Sequence, residues 1–258
     1  MCYRIYEEVH MMIWRKSIAV AAIALISNQV MADWTGSGQL GVVSAHGNSN
    51  NSSANAKVDL TDELESWKHI FGFNALYGEK DNVTSSQRWD TAWQSEYKLT
   101  QKTFWFGGLR YEDDKYGAFS YQATVDTGFG YRFYDTDTTK LSAQLGVGFK
   151  RSESQTLVQD ASGKVVDRIH DDPSNRGVVT GGVNYEHQLT GNTKVLNKFL
   201  VEAASDNTYL QNSLALQVSM NEHLALSVGY ELRENTSPPP DQHRLDSLTT
   251  LNLVYKLQ

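Results

Sequence analysis

The chain has 258 residues, enough for one large β domain or two small ones. Its formal net charge of −7 argues against a nucleic-acid partner, and the single cysteine, Cys2, excludes a disulfide framework within the chain. Only four prolines stand against 13 Tyr, 9 Phe and 6 Trp, a high aromatic content for so polar a sequence.

The first element lies at the N-terminus. From Met12 the chain reads "MIWRKSIAVAAIALISNQVMA": a basic start at Arg15 and Lys16, an apolar run from Ile18 to Ile26, and small residues at Val30 and Ala32. This is the pattern of a secretory signal peptide cleaved after Ala32. A membrane anchor is disfavoured because the run is about half of the ~20 residues that a spanning helix needs. The leading "MCYRIYEEVH" reads as an upstream start chosen in place of Met11 or Met12. Removing residues 1–32 takes away three of the 23 basic and two of the 30 acidic side chains, so residues 33–258 carry a formal charge of −8 and no thiol.

Beyond residue 33 no window shows sustained helical periodicity, and period-two segments fill the chain. Twelve are predicted as strands: 34–45, 51–61, 66–79, 86–99, 103–113, 119–134, 140–151, 176–189, 193–204, 208–219, 223–234 and 244–257. The sixth sets Tyr121, Ala123, Val125, Thr127, Phe129, Tyr131 and Phe133 against Gln122, Thr124, Asp126, Gly128, Gly130 and Arg132. Successive side chains of a strand point to opposite faces, so each segment has one greasy and one polar side. The third, fifth and ninth carry apolar residues in both phases, which leaves their registers open.

The connections decide what the greasy face touches. Every second one is short: "TDELES", "LTQKT", "YDTDTTK", "LTGNT" and "MNEHL". The others include "EKDNVTSS", "YEDDKYGAFS", the stretch 152–175 and "ENTSPPPDQHRLD", with "HGNSNN" and "ASDNTY" the short exceptions. Antiparallel neighbours put alternate connections at opposite ends, so all the long ones fall on one rim, the asymmetry of outer-membrane barrels. The polar face is too charged for a dry core: Lys57, Asp59, Arg88, Asp90, Glu96, Lys98, Asp126, Arg132, Lys150, Glu231 and Arg233. The opposite face is apolar, with Trp34, Trp67, Trp89, Tyr97, Phe133, Tyr134, Phe149, Tyr185 and Tyr255 near strand ends, as aromatic girdles require. The expected fold is therefore all-β, a closed antiparallel transmembrane barrel of twelve strands after a signal peptide, with its greasy face to lipid.

"GNSNNSSANAKVDL", "FWFGGLRYEDDKYG", "TGFGYRFYDTDTTKLSAQLGVGFKR" and "LSVGYELRENTSPPP" are similar to one known family. It is the salt-induced outer-membrane protein family of Gram-negative bacteria, a domain family of unknown function. The similarity runs from about residue 34 to the C-terminus and is most specific at Gly128–Arg132. It implies an envelope location and brings no substrate or mechanism. One departure is the close on "LVYKLQ", where such barrels usually end on an aromatic residue.

Few residues suggest chemistry. Gly128-Phe129-Gly130 lacks the third glycine and the helix of a nucleotide loop. Lumen glycines that make room for large neighbours explain it. Asp135-Thr136-Asp137 resembles a calcium loop but lacks its Gly and closing Glu, so it reads as a polar turn. His46, His69, His170, His187, His223 and His243 show no metal-ligand spacing. Ser44 with His46, His170 with Asp171 and Asp172, and His243 with Asp241 are the local nucleophile or base candidates, all in polar loops. Asn51, Asn82 and Asn235 open N-x-S/T triplets, which in a bacterial envelope are only loop composition.

The expected function is that of a non-enzymatic protein of the bacterial outer membrane, a narrow channel or a largely plugged barrel with a stress or osmotic role. The alternative is an outer-membrane enzyme hydrolysing lipid or peptide at the extracellular rim. No cofactor or metal is expected. The partners are membrane lipid and lipopolysaccharide, the barrel-assembly machinery, and small ions or solutes. The candidate site is a lumen charge lattice of Arg88, Asp90, Glu96, Lys98, Asp126, Arg132, Lys150, Glu231 and Arg233. Pairs form along the strand (Arg88 with Asp90, Glu96 with Lys98, Asp126 with Arg132, Glu231 with Arg233), and the acidic loop 152–175 covers the mouth.

Overall fold

A computed structural model describes residues 34–45, 51–239 and 242–257. The signal-peptide reading of residues 1–32, His46 and Asp241 lie outside the described residues. The described chain is all β. Its strands are β1 (Trp34–Ala45), β2 (Asn51–Glu63), β3 (Trp67–Lys80), β4 (Val83–Lys98), β5 (Thr103–Asp114), β6 (Phe119–Asp135), β7 (Thr139–Gln159), β8 (Val165–His170), β9 (Ser174–Gln188), β10 (Thr193–Ala204), β11 (Thr208–Ser219), β12 (Leu224–Asn235) and β13 (Leu245–Leu257).

Twelve of these strands form a ring, each paired with its neighbours in chain order, and β13 returns to β1 through Gly36↔Leu257 to Leu40↔Leu253. β8 stands outside the ring, paired to the far end of β7. Closing the sheet leaves no edge, which is the condition for strands to cross hydrocarbon. The protein is thus a closed transmembrane barrel, and its burial is inverted accordingly. Among the described residues the buried set holds thirteen polar or charged side chains and only seven apolar or aromatic ones. Phe149, Leu145 and Leu40 are each about two-thirds exposed or more, on the face that meets lipid.

Two aromatic rows mark the ends of the apolar band. Near the short turns, Trp67 packs edge-on against Tyr97 and Trp105 at 5.1 and 6.5 Å. Near the other rim, Trp89 meets Tyr111 at 5.2 Å and Tyr111 meets Tyr121 at 6.3 Å. On β6, Tyr121 and Tyr131 are separated by ~33 Å of strand, or ~25 Å along the barrel axis at ~40° tilt, which is the height of an outer-membrane apolar band.

The connections differ from the sequence expectation in an instructive way. "EKDNVTSS" is mostly strand: β3 and β4 run on to a two-residue turn at Asp81 and Asn82, whose φ values of 49° and 64° suit a primed hairpin turn. The stretch 111–120 shrinks to residues 115–118. The stretch 152–175 is a hairpin and not a loop. β7 extends to Gln159, turns through 160–164, and returns as β8. At its tip the Asp160 carboxylate accepts hydrogen bonds from Ser162 and Lys164, and Gly163 takes the left-handed φ of 82°. The hairpin is anchored on a neighbouring turn. Gln155 donates to the carbonyls of Asp114 and Gly117, and Arg168 donates to the Lys115 carbonyl, so it leans on the β5–β6 turn. Period two runs past the membrane here, because the protruding residues are still paired strand with polar side chains.

The open registers also resolve. Lys57 faces Asn74, Asn74 faces Asp90, and Asp90 faces Glu112, so the even positions of β3, β4 and β5 point inward together. Phe104 and Phe106 are therefore lumenal, and both are buried. Gly130 is directly opposite Phe104, and a Cβ there would collide with its ring. Gly128 serves differently, since a Cβ would strike the backbone of Leu145 and Gly146 on the adjoining strand.

Candidate functional site

The inward face carries ionic groups into a space shielded from water, where an unpaired charge is costly and a pair holds only if it is well hydrogen-bonded. Arg233 on β12 answers this with three carboxylates. Its Nη2 donates to Asp90 at 3.0 Å, its Nη1 to Glu112 at 2.7 Å, and its Nε to Glu231 at 2.7 Å. Asp90 and Glu112 belong to β4 and β5, so these bonds cross the lumen. Glu231 also receives Arg88 at 3.3 Å, and its second oxygen accepts from Gln211 and Ser213 at 3.0 Å each.

The chain of charges continues. Arg110 holds Glu112 at 2.6 Å and Glu202 at 3.5 Å, and Lys150 holds Glu202 at 2.7 Å. Tyr209 lies among them with the Arg110 guanidinium 4.6 Å and the Lys150 ammonium 5.1 Å from its ring centre. Four cations (Arg88, Arg110, Lys150, Arg233) and four carboxylates (Asp90, Glu112, Glu202, Glu231) thus form one balanced network tying β4, β5, β7, β10 and β12.

A second layer fills the β4–β7 side of the lumen. Arg132 pairs with Glu96 and stacks 4.6 Å over the Phe104 ring, in the space left by Gly130. Gln94 and Gln144 exchange amide hydrogen bonds of 3.0 Å across the same gap. On the opposite side the lumen opens into a hollow of about 500 Å³ lined by Lys57, Asp59, Lys194 and Lys198 among others. Here Lys198 reaches Asp59 across the lumen at 3.0 Å. A smaller hollow of about 180 Å³ lies toward the other rim. Leu76, Arg88, Glu231, Arg233 and Leu248 line both hollows, so this ring of five is an eyelet between them.

The structure rearranges the expected pairs. Glu231 does hold Arg233 along the strand. Arg88 reaches Glu231 and not Asp90, and Glu96 takes Arg132 and not Lys98. Lys98 sits at the short-turn rim with Glu63 at 3.1 Å and the Leu64 carbonyl at 2.8 Å, outside the network. Asp126 accepts from Thr180 at 2.7 Å and does not pair with Arg132. Long side chains in a tube reach inward across it more readily than they lie flat along one strand.

Sequence reading missed Arg110, Glu112 and Glu202. They sit in the two strands whose inward face also carries apolar groups, Phe104 and Phe106 on β5 and Leu196 and Leu200 on β10. The available signal was Gly128 and Gly130 in the polar phase of β6, which implied bulky lumenal partners on β5. Of the loop candidates, His170 pairs with Glu153 at 3.1 Å, while Asp171 accepts from Ser154. Asp135-Thr136-Asp137 is a turn closed by reciprocal bonds between Thr136 and Thr139.

A family model described as "Protein of unknown function, DUF481" matches residues 38–257. The uncharacterized protein YdiY of Escherichia coli K12 is 26% identical over 227 residues, covering 84% of this chain and 81% of that protein. Among solved structures, the NanC porin aligns with a TM-score of 0.46 at 10% identity, covering 87% of this chain and 99% of that one. The translocator domain of the autotransporter NalP from Neisseria meningitidis aligns with a TM-score of 0.46 at 10% identity, covering 96% of each chain.

Proposed function

The chain belongs to the family of proteins of unknown function DUF481, and from that premise and its bridged lumen we propose a non-enzymatic, narrow channel of the bacterial outer membrane. The observation that carries this reading is the eyelet. The two hollows meet at Arg88, Glu231 and Arg233, so the lumen is constricted by ion pairs and not filled throughout. Such a passage suits water and small ions. The larger hollow is lined by six cations (Lys57, Arg88, Lys194, Lys198, Arg233, Lys256) and four carboxylates (Asp59, Asp90, Glu186, Glu231), which favours anions.

In this reading the short-turn rim, where β1 begins and β13 ends, faces the periplasm, and the hairpin rim faces outward among lipopolysaccharide. Insertion would use the barrel-assembly machinery. A role in salt or osmotic stress fits a tight ion pathway, and transcript levels after a salt shift would test it.

Single-channel recording on refolded protein tests the channel itself. Wild-type conductance should fall well below that of 16–18-stranded porins. Neutralising Arg88 and Arg233 together to Gln should raise conductance and shift selectivity toward cations. Arg132→Gln, which lies off the eyelet, should leave conductance near wild type. Porin-sized wild-type conductance, or no change in the double variant, would overturn the proposal.

A further inference from the structure

The larger lumen hollow carries more positive charge than its own carboxylates balance. On the short-turn side of the eyelet it is lined by Lys57, Lys194, Lys198 and Lys256, against Asp59 and Glu186. Lys194 is matched by Glu186 at 3.0 Å. Lys57 and Lys198 share one carboxylate, Asp59, at 3.4 and 3.0 Å. Among the described residues Lys256 has the Ser219 hydroxyl as its partner, at 2.7 Å, and no carboxylate. The excess of two charges therefore sits in two separate places, one at the Asp59 cluster and one at Lys256.

The strands fix how far apart these places are. Lys256 of β13 faces Ser37 of β1 in register. On the other side of β1 runs β2, and a Cβ on Gly36 would strike the Asp59 carbonyl there. Asp59 and Lys256 thus stand two strand spacings apart, ~10 Å between backbones. Their side chains line the same space, and an ammonium with three donors keeps N–H groups beyond its one acceptor here. A low-dielectric wall around unbalanced charge focuses its field and gathers counter-ions. A compact anion answers one of the two places at a time. A molecule with an anionic group at each end answers both, and loses its translational freedom only once.

We infer that this hollow binds a small organic dianion with two separated anionic groups, of the dicarboxylate type. One end takes N–H donors from Lys57 and Lys198 beside Asp59, and the other takes Lys256. A volume of about 500 Å³ admits such a molecule with part of its hydration. The site rests on the channel reading for its access alone. With the short turns toward the periplasm, the dianion enters from that side and stops at an eyelet crossed by the Arg88–Glu231 pair.

Isothermal titration calorimetry of the refolded barrel in non-ionic detergent tests it, with succinate, sulfate and acetate as probes. Succinate should bind at one saturable site, about tenfold or more tighter than sulfate or acetate, the worth of a second charge-assisted hydrogen bond. Lys256→Gln removes one place and leaves no carboxylate unpaired, so the fold should survive, as its heat-modifiable migration will show. It should weaken succinate by about the same factor and leave sulfate unchanged. Lys98→Gln, at the rim outside the hollow, should titrate as wild type. Sulfate bound as tightly as succinate, or unaltered succinate binding in Lys256→Gln, would overturn the site. Porin-sized conductance with succinate still bound would sink the channel reading and keep the site, whereas a narrow conductance without saturable binding would sink the site alone.

Discussion

Arg233 concentrates the energetics of the lumen in one side chain. It is 6% exposed and is the shared partner of Asp90, Glu112 and Glu231. Replacing it by Met should leave Asp90 without its cation, weaken the pairing of Glu112 and Glu231, and cost about 3–5 kcal/mol, the usual penalty for breaking a buried ionic group. Urea unfolding in lipid vesicles would measure this. Lys98→Met is the control, since its rim pairs are partly exposed and should be worth under about 1 kcal/mol. Gly130 makes a second test by shape alone. Gly130→Ala places a Cβ in the Phe104 ring and should cost about 1–3 kcal/mol through overpacking. Phe104→Leu should recover part of that loss in the double variant, and additive losses would refute the contact.

At the level of elements, most of the barrel was readable because period two persists along nearly every strand, and lipid outside enforces it more strictly than a core would. The misreadings have a common cause. At 79–86 and 152–175 the chain leaves the membrane but stays paired, so polarity marked the end of the apolar band and not of the strand. In β5 the apolar-out rule lost its force because glycines on β6 admit rings into the lumen, and in β10 because Leu196 and Leu200 share the inward face with Glu202. The lattice members were legible as inward charges, but their partners were not, since cross-lumen pairing depends on ring geometry. The β7–β8 hairpin gives the next expectation. Hydrogen bonds from Ser162 hold the exposed Asp160 carboxyl below its ordinary range. That contribution is present above the ordinary carboxylate pKa and is lost as pH falls through the lowered value. Protease added to intact cells should cut first in 160–164 or 236–244, faster in Asp160→Ala, and never in 99–102 or 189–192. Early cleavage at either short turn would invert the proposed orientation.

Among the described residues the buried set is mostly polar, with no large apolar core to hold the barrel, and the mature form that we propose, beginning at Asp33, has no thiol either. Intact mass of an outer-membrane fraction would test that start, and a mass that includes residues 1–32 would exclude it. Stability must then come from two sources: the closed backbone ladder and the bridges across its lumen. The ladder has one junction that the chain does not close covalently, the pairing of β1 with β13. A closed ring resists detergent because unpairing any strand exposes donors and acceptors to an apolar medium. Unheated protein should therefore migrate faster on SDS gels than boiled protein. Val254 pairs with Gln39 at the junction and with Ala225 on β12, with no exposed surface. Val254→Pro deletes one ladder donor and strains β13 between its neighbours. It should abolish the fast-migrating form, while Val254→Ala, which keeps the ladder, should retain it. If the proline variant still migrates as a folded barrel, the lumen bridges alone hold the ring, and the junction is not its weak point.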